Sequence, residues 1–281
     1  MHIPLICIGI YTAQPLNEGR FSMKDFLLVI ALLVTTFFQI EAKEFHALLT
    51  GDTFSDVKEA ASCDIKHIRK ELQTVCDAIN MPLHIKELKG KALTKTQVRK
   101  WIGSDAITSD DIVLFYFTGH GFRTEKTRTI WPCIFFPAKK EIIEFTDIIN
   151  EFTKKSAALC VIIADCCNNF YQEKGLMPPF GENFLLCKNF HPQRSEEVYT
   201  RLFKNTTGII IASGSTPGKR SWCTKKGSIF TSALLTCLKQ ELHETNPRWD
   251  HLLLETKNMC HKFQKPQFQL YISTPKQKAL R

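Results

Sequence analysis

Two stretches of the chain are apolar at every position: Val113 to Phe117 (VLFYF) and Leu159 to Ala164 (LCVIIA). A strand with one wet face alternates apolar and polar side chains, whereas an unbroken run suits a strand buried on both faces. Covering both faces of a sheet takes helices, so these runs demand an α/β layer structure. The rest of the chain supplies the helices. Val57, Ala61, Ile65, Ile68, Leu72, Val75 and Ile79 recur at steps of three and four, after a candidate N-cap at Ser55. Thr94 and Gln97 stand at capping-box spacing before a short helix. The stretches FTDIINEFTKK, SIFTSALLTCLKQEL and DHLLLETKNMCHKF are also helical by spacing. Strands are expected at EFHALLTG, PLHIKEL, GIIIAS and PQFQLYIS, and IWPCIFFP suits an extra strand or hairpin. Strands alternating with helices predict a mostly parallel sheet of about six strands with helices on both faces. The expectation is one such domain over residues 43–281, after an N-terminal extension over 1–42.

That extension has its own pattern. From Met23, a lysine is followed by an apolar run from Phe26 to Phe38, and the stretch ends at Ala42 before Lys43-Glu44. This is the layout of a secretory signal peptide, with translation starting at Met23. The run is shorter than the ~18–20 residues a spanning helix needs, so no permanent membrane anchor is expected. Export to a periplasmic or extracellular compartment follows if the leader is used; otherwise the protein stays in the cytoplasm. Ten of the 11 cysteines lie beyond Ala42. Their uneven spacing suggests no disulfide framework, and most are expected to be small buried side chains. The formal charge of +9 comes from cations scattered along the chain, without a recognition motif for nucleic acid.

Both apolar runs deliver polar residues at their ends. The first runs into Thr118-Gly119-His120-Gly121, the second into Asp165-Cys166-Cys167. Ligands of open α/β sheets bind beyond the carboxyl ends of the strands, and glycines there let the backbone turn tightly beside a functional side chain. If the two strands are neighbours, His120 and Cys167 face one cleft, the pairing that nucleophilic thiol catalysis needs.

The motifs FTGHG and ADCCNN resemble the catalytic motifs of the caspase and metacaspase superfamily of cysteine peptidases. Caspases carry the histidine about 50 residues before the cysteine, and the separation here is 47. GSIFTSALL resembles a run that opens a late helix in metacaspases, and the likeness extends from Phe45 to Ile272. It implies that His120 is the general acid and base and Cys167 the nucleophile. The backbone N–H groups of Gly121 and Cys167 would form the oxyanion hole. Cys166 fills a variable position of the motif. Asn168-Asn169-Phe170 depart from the His-Ser-Gly that usually follows the metacaspase cysteine.

Asp165 stands where caspases carry a glutamine that helps hold a substrate aspartate. A carboxylate there favours a basic side chain instead. Asp64, in SCDI, resembles the aspartate of the metacaspase substrate pocket and borders the apolar stripe of its helix. Ser213 ends a strand whose equivalent lines the cleft in relatives. The implied substrates are proteins or peptides cut after Arg or Lys. Calcium-dependent metacaspases use several aspartates after the nucleophile, whereas here only Asp250 follows Asn168. No calcium, other metal or cofactor is therefore expected. Two alternatives remain open on the residues alone: a catalytically silent partner-binding module, and an exported thiol-redox protein built on Cys166-Cys167.

Overall fold

The computed structural model describes residues 43–170 and 195–273. The leader read from Met23 to Ala42 lies outside them, as does most of the loop after Phe170.

Six strands form the central sheet: β1 (Phe45–Gly51), β2 (Leu83–Lys89), β3 (Ile112–Thr118), β7 (Leu159–Asp165), β8 (Thr207–Ser213) and β11 (Gln267–Ser273). Their order is β11-β8-β7-β3-β1-β2, with every pairing parallel except β11 against β8. The two apolar runs are the adjacent strands β3 and β7, paired in register from Ile112 opposite Leu159 to Thr118 opposite Asp165. All seven residues of each are buried. The expected sheet is therefore the observed one.

Alternate residues of these strands feed two cores, as the pleat requires. On one face Leu114, Tyr116, Val161 and Ile163 pack with Ile65, Ile68, Leu72 and Val75 of α1 (Lys58–Ala78), and with side chains of α5 (Ile229–Glu241) and α6 (Trp249–Cys260). On the other, Val113, Phe115, Phe117 and Ile162 meet α2 (Lys95–Ile102) and α3 (Phe145–Thr153). Thr94 caps α2 by accepting the Gln97 N–H at 3.2 Å. Ser55 does not cap α1, whose N-cap position is Val57. Its hydroxyl is instead donated to Asp52 at 2.6 Å, in the turn that follows β1.

IWPCIFFP becomes β5 (Cys133–Phe136), the middle of a small antiparallel sheet between β4 (Gly121–Phe122) and β6 (Glu141–Glu144). The periodicity of EIIE was too short to announce β6. The segment after Ser195 is one helical turn, α4 (Glu196–Tyr199), that widens into a π-turn over Thr200–Lys204. A two-residue hairpin, β9 (Cys223–Thr224) with β10 (Gly227–Ser228), precedes α5. Among the described residues no helix is long and apolar enough to cross a membrane.

Candidate active site

The segments that leave β1, β3, β7 and β8 converge at the carboxyl end of the sheet. They border a cavity of about 490 Å³ whose lining includes Asp56, His120, Gly121, Asp165, Cys167 and Ser221. His120 and Cys167, 47 positions apart in sequence, thus share one chamber because β3 and β7 are neighbours.

Gly119 makes the turn into this site. Its φ of +152° is one that side-chain-bearing residues rarely adopt, and its N–H donates to the Asp165 carbonyl at 3.2 Å, tying the two strand ends together. Gly121 then runs against the cysteine pair. A Cβ there would sit 2.4 Å from Cys166 Sγ and 2.7 Å from the Cys167 carbonyl oxygen. The His120 carbonyl accepts from Phe135 in β5 at 3.0 Å, and neighbouring residues of an antiparallel ladder face opposite ways. The Gly121 N–H is therefore turned away from β5. Gly121→Ala should displace the cysteine loop and cost about 1–3 kcal/mol of stability, since the added Cβ overpacks the cysteine pair. Thermal melts, with near-UV circular dichroism as a check on tertiary packing, measure it.

Cys167 Sγ lies 3.3 Å from the Ser221 carbonyl oxygen, to which it donates, and 3.4 Å from the Ser221 N–H. Burial pushes the Cys167 thiol up, opposed by the Ser221 N–H and the charge of Arg220. The thiol therefore rests protonated. Cys166 is 1 % exposed, and burial holds its thiol well above the ordinary range. Both cysteines border the chamber, Cys167 as the more accessible of the two and Cys166 packed into the sheet end.

His120 Nε2 pairs with Asp56 Oδ1 at 2.7 Å. That hydrogen bond holds the Asp56 carboxyl below the usual carboxylate range. Neither Asp56 nor Ser221 was singled out from the sequence. Asp56 follows β1, and only the order β3-β1 brings it beside a residue that follows β3.

The chamber also meets a carboxylate. Asp165, 3 % exposed, accepts the Ser221 hydroxyl at 2.6 Å on Oδ1, and on Oδ2 the Thr231 N–H at 3.1 Å and hydroxyl at 2.6 Å. Asp64 is fully buried behind the lining. It accepts the Thr118 hydroxyl at 2.8 Å and both the N–H and hydroxyl of Ser228, at 2.9 and 2.5 Å. Burial, and then the charge of Asp165, raise Asp64 to about 7; burial likewise raises Asp165. Two carboxylates this close and this dry do not ionise independently. Ser213 does not reach the chamber: it is fully buried and donates its hydroxyl to the Ser215 carbonyl at 3.3 Å. Its side chain follows the inward alternation of β8.

The unusual Asn168 is a clamp. Its N–H donates to Lys219, its carbonyl accepts from Gly218, and its amide donates to Ile130 and Ser215. The buried Arg123 donates to its Oδ1 at 3.2 Å. Gln264 holds the opposite wall by donating to Gly214 and Ser221 and accepting the Trp222 N–H. These bonds fix the backbone on both sides of Cys167. Among the described residues no group of three or more His, Cys, Asp or Glu is arranged to hold a metal ion.

A mostly parallel sheet, buried on both faces, with a histidine and a cysteine lining one chamber at its carboxyl edge, defines a caspase-like scaffold. The chain belongs to the caspase domain family of cysteine peptidases, whose description matches residues 41–278. It is similar in fold to the crystal structure of a protein from Geobacter sulfurreducens, with a TM-score of 0.53 at 15% sequence identity. The likeness covers 84% of this chain and 96% of that one. No curated protein sequence matches the chain significantly.

Proposed function

We propose that the protein is a cysteine endopeptidase that uses His120 and Cys167 to cleave peptide bonds after Arg or Lys. The observation that carries this reading is a single chamber lined by both residues and by a buried carboxylate, Asp165. The Cys167 thiol gives its proton to His120 as its sulfur attacks the carbonyl carbon of the scissile bond. The oxygen of the tetrahedral intermediate is held by the N–H groups of Gly121 and Cys167. Collapse breaks the C–N bond, and His120 passes the proton to the departing amine, leaving a thioester on Cys167. Water then attacks the thioester while His120 takes its proton, and that proton returns to the sulfur as the acid product leaves.

With Nε2 engaged by Asp56, Nδ1 is the ring nitrogen left for these transfers. Asp56 is thus a positioning residue that sets the tautomer and stabilises the imidazolium. The pair is well exposed, so its worth is modest. Asp56→Asn should lower kcat about tenfold with KM little changed, since the ring loses the partner that orients it. Asp56→Glu should recover part of the loss, and an unaltered kcat would remove Asp56 from the mechanism.

The substrate's basic side chain points into the chamber toward Asp165, with the Asp64 charge behind it. The leader from Met23 to Ala42 supports an exported enzyme. Calcium plays no part in the scheme, so full activity in a chelator is expected. The direct test is turnover by the full chain, under reducing conditions, of fluorogenic peptides ending in Arg, Lys or Asp. Turnover after Arg and Lys alone supports the reading. Turnover after Asp alone would keep the dyad and remove the acidic pocket. Silence from a folded protein would favour a partner-binding module, and the burial of Cys166 already argues against a vicinal redox pair.

A further inference from the structure

Beside the candidate active chamber, and sharing Arg220 and Trp222 with it, lies a second groove of about 380 Å³. Lys219, Lys262, Lys265 and His261 line it, and among the described residues no acidic one does. The three lysines are exposed, and none pairs with a carboxylate among the described residues. Arg220 stands 6.0 Å from the centroid of the Trp222 ring. Some cations elsewhere are offset: Arg69 and Lys89 pair with Glu87, and Arg99 with Asp147 and Glu151. A concave wall of like charge without counter-charges concentrates positive potential and attracts an anionic group.

Strand order tells which part of a substrate reaches it. His120 follows β3 and the 214–222 segment follows β8, on opposite flanks of β7 and Cys167. The departing amine collects its proton from His120, so the residues after the scissile bond lie on the β3 side. The residues before it lie on the β8 side, along Ser221 and Trp222 and into the groove.

We infer that the enzyme selects acidic side chains among the residues preceding the basic one at the cleavage point. This rests on the proposed peptidase reading and extends it from one pocket to two of opposite sign. Four extended residues reach about 14 Å, which sets the span over which the preference should act. The expected substrate is therefore a segment with Asp or Glu shortly before Arg or Lys, a charge pattern that a uniformly basic or acidic cleft would not favour.

The test separates binding from turnover. Labelled peptides with a terminal Arg preceded by four positions bearing Glu or Gln are titrated into the full-chain Cys167→Ala protein, read by fluorescence anisotropy. The Glu peptides should bind about tenfold more tightly than the Gln peptides at low salt, through exposed ion pairs of modest worth each. The advantage should shrink as ionic strength rises. Lys262→Glu/Lys265→Glu, both at exposed positions, should reverse the ratio of Glu-peptide to Gln-peptide affinity. Equal binding of Glu and Gln peptides would overturn the inference. So would a Glu preference that survives the double substitution, or equal binding of a Glu peptide lacking the Arg, which would mark a general polyanion surface. Wild-type turnover of the Gln peptide is the separate control. If it is cleaved without a Glu advantage, only this inference fails; if no peptide ending in Arg is cleaved, the peptidase reading fails.

Discussion

Cys167→Ala should abolish turnover, with a loss of at least about 10⁴-fold in kcat/KM, while Cys166→Ala should retain activity within about threefold. The two thiols are adjacent in sequence but lie in different solvents. Cys167 Sγ borders the chamber between the N–H and carbonyl of Ser221, whereas Cys166 is packed among Phe117, Ala164 and their neighbours. Removing Cys166 Sγ leaves a small void and costs about 1 kcal/mol of stability without touching the reacting atoms. Initial rates on an Arg peptide, with thermal melts of all three proteins, check both halves. Equal losses from the two substitutions would mean that the pair acts as a unit and that the assignment of the nucleophile is wrong.

The second large effect concerns the buried carboxylates. Asp64 is raised to about 7, so at neutral pH it stands near its midpoint. Cleavage after Arg should therefore strengthen as pH rises through about 7, as the pocket gains negative charge to meet the guanidinium. Asp165→Asn should lower kcat/KM on Arg peptides by about a hundredfold, because a cation entering a dry pocket loses the ion pair that offsets its desolvation. Asp64→Asn should leave a weaker, pH-flat preference. Stability moves the other way. The folded-state pKa of Asp64 lies above its ordinary value of 3.8, so the unfolded chain gives up this proton first. The stabilising term is full below the ordinary value and is lost as pH rises toward about 7. The wild-type Tm should fall over that interval, and Asp64→Asn should flatten the curve. A wild-type melt independent of pH would show that Asp64 is ionised throughout.

The sheet, and the meeting of His120 and Cys167 at one chamber, were both legible in the sequence for the same reason. VLFYF and LCVIIA have no polar alternation, so only a doubly covered strand fits them, and functional residues of such sheets sit past the strand ends. His120 and Cys167 were found by position before the resemblance named their roles. The family resemblance, not periodicity, marked Asp64; the helical stripe put it only at the border, whereas the structure buries it beneath Ser228. Ser213 was misplaced because a strand's last residue faces either the cleft or the sheet interior, and that parity depends on register. Asp56, Ser221 and Gln264 carried no local signal at all. They act through strand order and through two loops that cross from β8 and α6, relations between segments that no window of sequence contains. The clamp around Asn168 was likewise hidden, and what first read as a departure from a motif is the residue that ties the nucleophile loop to Ile130, Ser215, Gly218 and Lys219.

The most direct measurement is covalent. The reduced full-length protein is incubated with a peptide carrying an acyloxymethyl ketone after Arg, and with its Asp counterpart, and the products are mapped by intact mass and peptide sequencing. The account predicts one adduct from the Arg reagent, on Cys167, and none from the Asp reagent. An unmodified protein, or a label carried instead by Cys63 or Cys223, the other described cysteines not fully buried, would contradict it.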